Sequence, residues 1–306
     1  MKKLFQITLV FVCLINASKP MAQMPTDALM MDKGQICIAA LYSHDTWEEY
    51  WEGTLKRDNL NVGTLTRQTV MPMIALGLVK RVNLIVALPW VRTEASGGQI
   101  AGVSGIQDFG IWLKGTALDL QAGPGKLTLH AVAGFSTPAS TYLADYAPFN
   151  LGFGCKEGSL RGILQYQIGN GPYIRGMAAY HLRGNAKIER NYYYTNQGYY
   201  SDKVNMPSAI TYGATLGSWL FNNSLQIEAT YDGLNSQSGH DIRRQDVGFP
   251  SNRMIFTRIG GFAHYYLPFV KGLGIVAAGN YILTGRNVGQ STMLTGGVTY
   301  QFGLWK

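Results

Sequence analysis

The stretch ITYGATLGSWLFNNSLQIEATYD, residues 210–232, decides how the rest of the chain is read. In its second half Leu225, Ile227, Ala229 and Tyr231 alternate with Ser224, Gln226, Glu228, Thr230 and Asp232. A period of two puts an apolar face and a polar face on one extended strand. The first half alternates more weakly, with Tyr212, Ala214, Leu216 and Leu220 against Thr211, Thr215 and Gly217. Between them Asn222-Asn223 tolerates positive φ and suits a two-residue hairpin turn. Strands of about ten residues exceed the five or six usual in soluble sheets and match the roughly nine to eleven that cross a bilayer.

Composition agrees with a sheet that faces lipid. Only 14% of the 306 residues are charged, while Gly reaches 37 and Tyr 18. Mean hydropathy is -0.01, the near-zero average of strands that expose only every second residue to lipid. The amino terminus has the layout of a secretory signal peptide: Met1-Lys2-Lys3, a mostly apolar run from Leu4 to Ile15, and small or polar residues up to Ala22-Gln23. Cleavage near Ala22 is expected, a retained anchor being the alternative. Loss of Lys2, Lys3 and Lys19 takes the formal charge from +8 to +5. With no basic run, nucleic acid is not an expected partner. Beyond the signal no apolar run approaches the roughly 18 residues of a membrane helix. Cys37 and Cys155 remain in the mature chain, as one bridge or as two buried thiols.

The hairpin grammar of residues 210–232 repeats along the chain. It gives fourteen candidate strands, among them 148–155 and 187–194. Short connections, such as Lys80-Arg81 and Gln121 to Pro124, alternate with longer ones, such as Thr46 to Asn61 and Ser236 to Asn252. Further short ones fall at Lys156 to Gly158, Gly184-Asn185, Asn222-Asn223 and Pro268 to Lys271, and Gly169 to Pro172 breaks the alternation. Short turns on one rim and long loops on the other predict an all-β, antiparallel up-and-down transmembrane barrel of about 14 strands, 12 to 16 fitting the same even-number rule. The expected division is a signal peptide (1–22), a short periplasmic segment (23–34) and an outer-membrane barrel (35–306) in a Gram-negative bacterium.

Within the strands the charged set falls on one face. Leu113 opposes Lys114, and Leu160 and Leu164 oppose Arg161. A Lys or Arg facing lipid at mid-bilayer costs about 2–4 kcal/mol, so the charged face belongs to the lumen. The candidate lumen lining is Asp108, Lys114, His130, Arg161, Arg175, Arg183, Glu228, Asp232 and Arg258. It reads either as a weakly cationic path for a carboxylate-bearing solute or as charges paired across the barrel as structure.

The segments MIALGLVKRVNLIVALPWV (73–91) and GVSGIQDFGIWLKG (102–115) are similar to the phenol-degradation meta-pathway (MetA-type) outer-membrane proteins, within the long-chain fatty acid and toluene transporter superfamily. Gly77, Asn83, Leu88-Pro89, Gly105 and Asp108 carry the likeness, which covers about a sixth of the chain. The block YSHDTWEEYWEGTLKRDN (42–59) resembles one found in Bacteroidetes homologues of unassigned transport role. The superfamily implies a fourteen-stranded barrel that passes hydrophobic small molecules and opens its wall at a kink in the third strand. Pro89 is the residue here that deletes a ladder donor in that strand. Its other reading is that it ends the membrane part of the strand beside Trp90. The superfamily's amino-terminal plug of several dozen residues cannot fit in the dozen before Gln35. Closure of the lumen therefore falls to residues 23–34, to inward loops or to lumen side chains.

No catalytic, metal or cofactor site is expected. Ser43-His44-Asp45 are consecutive on an extended chain and cannot converge as a relay, while His130, His181 and His264 are scattered without evident partners. His44, Asp45, Glu48 and Glu49 read as solvated loop charge before they read as a cation site. Trp47, Tyr50, Trp51, Tyr193 and Tyr199 suggest an aromatic funnel at the outer mouth or part of the interfacial girdle. The expected function is passive, non-enzymatic passage of small hydrophobic or amphipathic molecules, of fatty acid or aromatic type. The alternative is a structural or accessory barrel of a secretion or uptake complex with a closed lumen. Expected partners are outer-membrane lipid and the solute.

Overall fold

The computed structural model describes residues 23–99, 101–195, 197–242 and 252–305. The expected signal peptide lies outside them. Twelve strands form a closed antiparallel meander: β1 (Gln35–Trp47), β2 (Leu65–Val79), β3 (Val82–Ala87), β4 (Asp108–Ala122), β5 (Gly125–Pro138), β6 (Glu157–Ile168), β7 (Pro172–Arg183), β8 (Ala209–Leu220), β9 (Leu225–Ser236), β10 (Ile255–Tyr266), β11 (Leu273–Arg286) and β12 (Thr292–Gly303). Each pairs with its sequence neighbours. The ring closes where β1 pairs with β12 from Gln35↔Gly303 to Thr46↔Thr292. Two further segments, Trp90–Ala95 and Ser104–Ile106, pair with each other above the ring, and the first also continues along β2.

Twelve ring strands replace the fourteen expected. Residues 148–155 and 187–194 alternate as strands do, but neither joins the ring. Phe149, Leu151 and Cys155 of the first are buried within the loops instead. Ile188 in the second is equally buried, and Tyr193–Tyr194 forms a small hairpin with Gly198–Tyr199. Period-two apolarity reports a one-sided extended segment and does not say what its backbone pairs with. With both removed, the turns at 80–81, 123–124, 169–171, 221–224 and 267–272 share one rim, and the longer loops share the other. The exception at Gly169 to Pro172 disappears.

The hairpin of β8 and β9 pairs Leu220 with Leu225, so its turn has four residues, not two. Phe221, Asn222 and Asn223 all take positive φ, at 50°, 55° and 66°, and Ser224 N–H donates to the Phe221 carbonyl at 3.2 Å. Asparagine tolerates this left-handed conformation better than most side chains. Phe221 adopts it as well, with its ring 73% exposed at the rim.

The outside of the ring is apolar. Leu113, Leu160, Leu164, Ile174, Leu216 and Leu294 are among the exposed side chains. No helix among the described residues is long and apolar enough to cross a membrane.

Candidate functional site: an occluded lumen

The inner face of the barrel has two unlike walls. On β1 to β3 it is apolar and small: Cys37, Ala39, Met73, Ala75, Ile85 and Ala87 form one buried cluster. On β6 to β10 it is polar. There Arg175 of β7 holds Glu228 of β9 in a two-pronged ion pair, at 2.9 Å and 2.7 Å, with both side chains under a tenth exposed. Tyr173 donates to the same carboxylate at 2.6 Å and Gln226 at 2.8 Å. A charge buried at this depth is tolerated because the carboxylate accepts from both prongs of the guanidinium and from two further donors.

Between the walls lies the chain's own amino-terminal segment. Residues 23–34 are not a separate piece outside the barrel; they enter the lumen and are pinned from three strands. Lys114 of β4, fully buried, donates to Asp27 Oδ1 at 2.7 Å and to the Met24 carbonyl at 3.2 Å. Arg161 of β6 donates to the Pro25 carbonyl at 2.9 Å, and Asn83 of β3 to the Met31 carbonyl at 3.2 Å. Asp27 also folds the segment on itself, accepting from Met24 N–H at 2.5 Å and Leu29 N–H at 2.9 Å. Met31 completes the contact by packing on the apolar wall. Gly77 makes room for it, since a Cβ there would stand 2.0 Å from the Asp32 carbonyl oxygen.

A second segment, the loop of residues 139–156, folds over the mouth on the long-loop rim. Arg67 of β2 donates to the carbonyls of Asn150 and Leu151, at 3.1 Å and 2.5 Å. Thr93 donates to the Phe149 carbonyl at 2.8 Å, and Tyr142 donates to Asp108 and accepts from Gly154 N–H at 3.0 Å. Gly105 faces Leu151 closely enough that a Cβ would lie 3.0 Å from it. Four of the positions singled out by resemblance thus fall into two groups. Gly77 and Asn83 seat the amino-terminal segment, and Gly105 and Asp108 seat the loop.

Pro89 sits where β3 stops. Its neighbours keep β2 in register, Ala87 with Met73 and Trp90 with Val70. On the other side the pairing steps from Ala87↔Gly110 to Trp90↔Ile106, so that residues 88–89 oppose residues 107–109. That is a bulge on the fourth strand. The wall stays bonded across it, Leu88 N–H donating to the Pro72 carbonyl at 3.2 Å and Gln107 N–H to the Pro89 carbonyl at 2.9 Å. The chain continues beyond as Trp90–Ala95.

The remaining expected lumen residues pair locally. Arg183 donates to Glu157 at 2.7 Å and lies over Phe153 at 4.3 Å; Arg258 donates to Asp232 at 2.7 Å. The three histidines have partners that sequence reasoning missed: His130 with Thr116 at 3.1 Å, His181 with Thr211 at 2.9 Å, and His264 with Thr299 at 2.9 Å. Thr116 stands directly opposite His130 in the ladder of β4 and β5. Thr211 lies on β8, beside the β7 strand of His181, and Thr299 lies on β12, two strands from His264. No single-strand pattern signals any of them, because each needs the register between strands. Glu157 also meets His181, at 2.8 Å. The same His-Thr pairing recurs at three sites, although among the described residues the Nε2 of His130 is buried without a hydrogen-bond partner.

The mouth aromatics do not form one funnel. Trp47 and Tyr50 contact at 6.0 Å, and Trp51 is buried against Gly285. Tyr193 and Tyr199 stack at 5.0 Å and 12° in their own hairpin. Among the described residues no ring contact joins the two groups.

Cys37 and Cys155 are both free and buried. In its loop, burial pushes the Cys155 thiol up to about 11, so the nucleophilic thiolate is scarce near neutrality. A maleimide added at pH 7.5 is expected to leave both cysteines of the folded barrel unlabelled and to label both after unfolding. Labelling of Cys155 in the folded protein would contradict this packing.

No protein-family model matches the chain, and no curated protein sequence matches it. Among solved structures, an outer membrane channel from Pseudomonas putida F1 is similar at TM-score 0.68 and 16% identity, over 92% of this chain and 100% of that one. The translocator domain of an autotransporter from Neisseria meningitidis follows at TM-score 0.47 and 12% identity, over 98% and 95%. The KdgM porin in complex with oligogalacturonate stands at 0.43 and 8%, over 86% and 98%. The first likeness shows that this chain shares the barrel fold of that protein; the other two are too distant to add to it.

Proposed function

We propose that this chain is a passive outer-membrane channel for small hydrophobic or amphipathic molecules, which pass through the lumen when residues 23–34 leave it. The observation that carries this is the two-sided lumen. An apolar wall on β1 to β3 faces a polar wall on β6 to β10, which suits a solute that is itself two-sided. A short segment tethered at the periplasmic rim and held by a few polar contacts is a removable closure. The experiment is uptake by liposomes carrying the purified barrel, scored with a labelled fatty acid and a small aromatic. Uptake of either supports the channel; none by the folded protein, with or without the segment, favours the closed accessory barrel.

The bulge at Pro89 favours a second route, sideways release through the wall between the third and fourth strands. Pro89→Ala restores a ladder donor and separates the routes. On the lumen route uptake in the variant equals that of the unaltered protein, which is the expected result. On the lateral route uptake falls while the folded fraction is unchanged.

A further inference from the structure

Below the amino-terminal segment the lumen widens into a cavity of about 1200 Å³ between the short turns, the rim that lies on the periplasmic side in barrels of this kind. Leu29, Met30 and Met31 of the segment line it from within. Trp219 at the end of β8 and Tyr266 at the end of β10 line its side, their rings stacked at 6.2 Å and 20°. Around the mouth stand Lys33, Lys80, Arg81, Lys126 and Lys271, against only Asp32 and Asp119. Asp119 is already engaged by Lys126 at 2.9 Å and Arg81 at 3.8 Å. Among the described residues Lys33, Lys80 and Lys271 carry no ion pair.

Five cations on the edge of a chamber whose wall sets Trp219, Tyr266, Leu29 and Met30 among polar side chains such as Thr116, Thr128, Gln165 and Gln167 focus a positive potential onto its entrance. The tryptophan and tyrosine offer flat apolar surface with polar tips. Neither feature alone selects a ligand. Together they fit a molecule with an apolar body and one negative end. We infer that this vestibule is a binding site for a small amphipathic carboxylate, an aromatic or short-chain acid. Its carboxylate is held by Lys33, Lys80 and Lys271, and its body lies against Trp219, Tyr266 and Met30. The inference rests on the channel reading, narrows its substrate class to carboxylates, and places a station on the periplasmic side of the closure.

Trp219 reports on the site. The folded barrel in neutral-detergent micelles is titrated with 4-iodobenzoate and with the uncharged 4-iodobenzyl alcohol, each a heavy-atom quencher of tryptophan fluorescence. The benzoate is expected to quench saturably and to bind about tenfold more tightly than the alcohol, a difference of about 1.4 kcal/mol. That preference shrinks in high salt. Trp219→Phe removes the saturable component. The triple variant Lys33→Ala, Lys80→Ala, Lys271→Ala, all exposed positions, brings the benzoate to the level of the alcohol. Equal affinity for the two probes, saturable quenching that survives Trp219→Phe, or a preference untouched by the triple variant would each overturn the inference. The assay reads binding at equilibrium without passage. A barrel that binds benzoate here yet transports nothing would sink the channel reading and leave the site standing, and one that transports without binding here would do the reverse.

Discussion

Deletion of residues 23–32 is expected to convert a barrel that is mostly closed in planar bilayers into one that conducts steadily. The segment is held by the Lys114–Asp27 pair, three donated hydrogen bonds to its carbonyls, and Met31 against the apolar wall. With it gone, Lys114 and Arg161 face a lumen that water can enter, so the charges are solvated and not stranded. Lys114→Met tests the pin alone, leaving the segment in the chain. A charge-assisted hydrogen bond contributes roughly 1.5–3 kcal/mol, so its loss should raise the open fraction by about tenfold to a hundredfold. Asp27→Asn should lie between, because the amide oxygen can still accept from Met24 or Leu29 N–H but no longer pairs with an ammonium. Equal conductance for the deletion and the unaltered barrel would move the closure to the loop of residues 139–156, and Arg67→Ala would then be the variant that opens it.

Glu228→Leu is expected to be the most destabilising single change in the barrel wall. It leaves the Arg175 guanidinium, 8% exposed, with Thr215 at 3.4 Å as its remaining hydrogen-bond partner, and it strips Tyr173 of its acceptor, while Gln226 keeps only the Tyr173 hydroxyl, at 2.7 Å. Removing one member of a buried pair costs about 3–5 kcal/mol. The double variant Arg175→Met with Glu228→Leu should recover most of that, because no uncompensated charge remains. The measurement is the urea midpoint of unfolding, followed by the mobility shift between folded and unfolded barrel on gels. If the single and double variants unfold together, the pair is hydrated and contributes little to holding the wall.

These tests concern contacts that the sequence did not announce, and the reason is the same in each. Alternation along residues 210–232 assigns Glu228 to the inner face, and Lys114 and Arg161 are assigned likewise from their own strands. Facing is a local property, fixed by the pleat and by the cost of charge against lipid. Partnership is not local. Arg175 finds Glu228 across β8, and Lys114 finds an aspartate 87 positions away in the amino-terminal segment. Each histidine-threonine pair likewise depends on which strands lie side by side and in what register.

What the sequence determined alone was the class of the protein: an export signal as an expectation, long two-faced strands, short turns opposite long loops, and a charged face turned inward. It also left residues 23–34 among the few means of closing the lumen. What only the tertiary structure decided was the strand number and the identity of the closure. Residues 148–155 and 187–194 have the same apolar period as true ring strands, and only their burial in the loops tells them apart. Periodicity encodes which side of a segment avoids water, whereas membership of the ring depends on backbone hydrogen bonds to strands far away in the chain. Those bonds carry no side-chain pattern, so ring closure, lumen pairing and the seating of residues 23–34 emerge only when all twelve strands are in place.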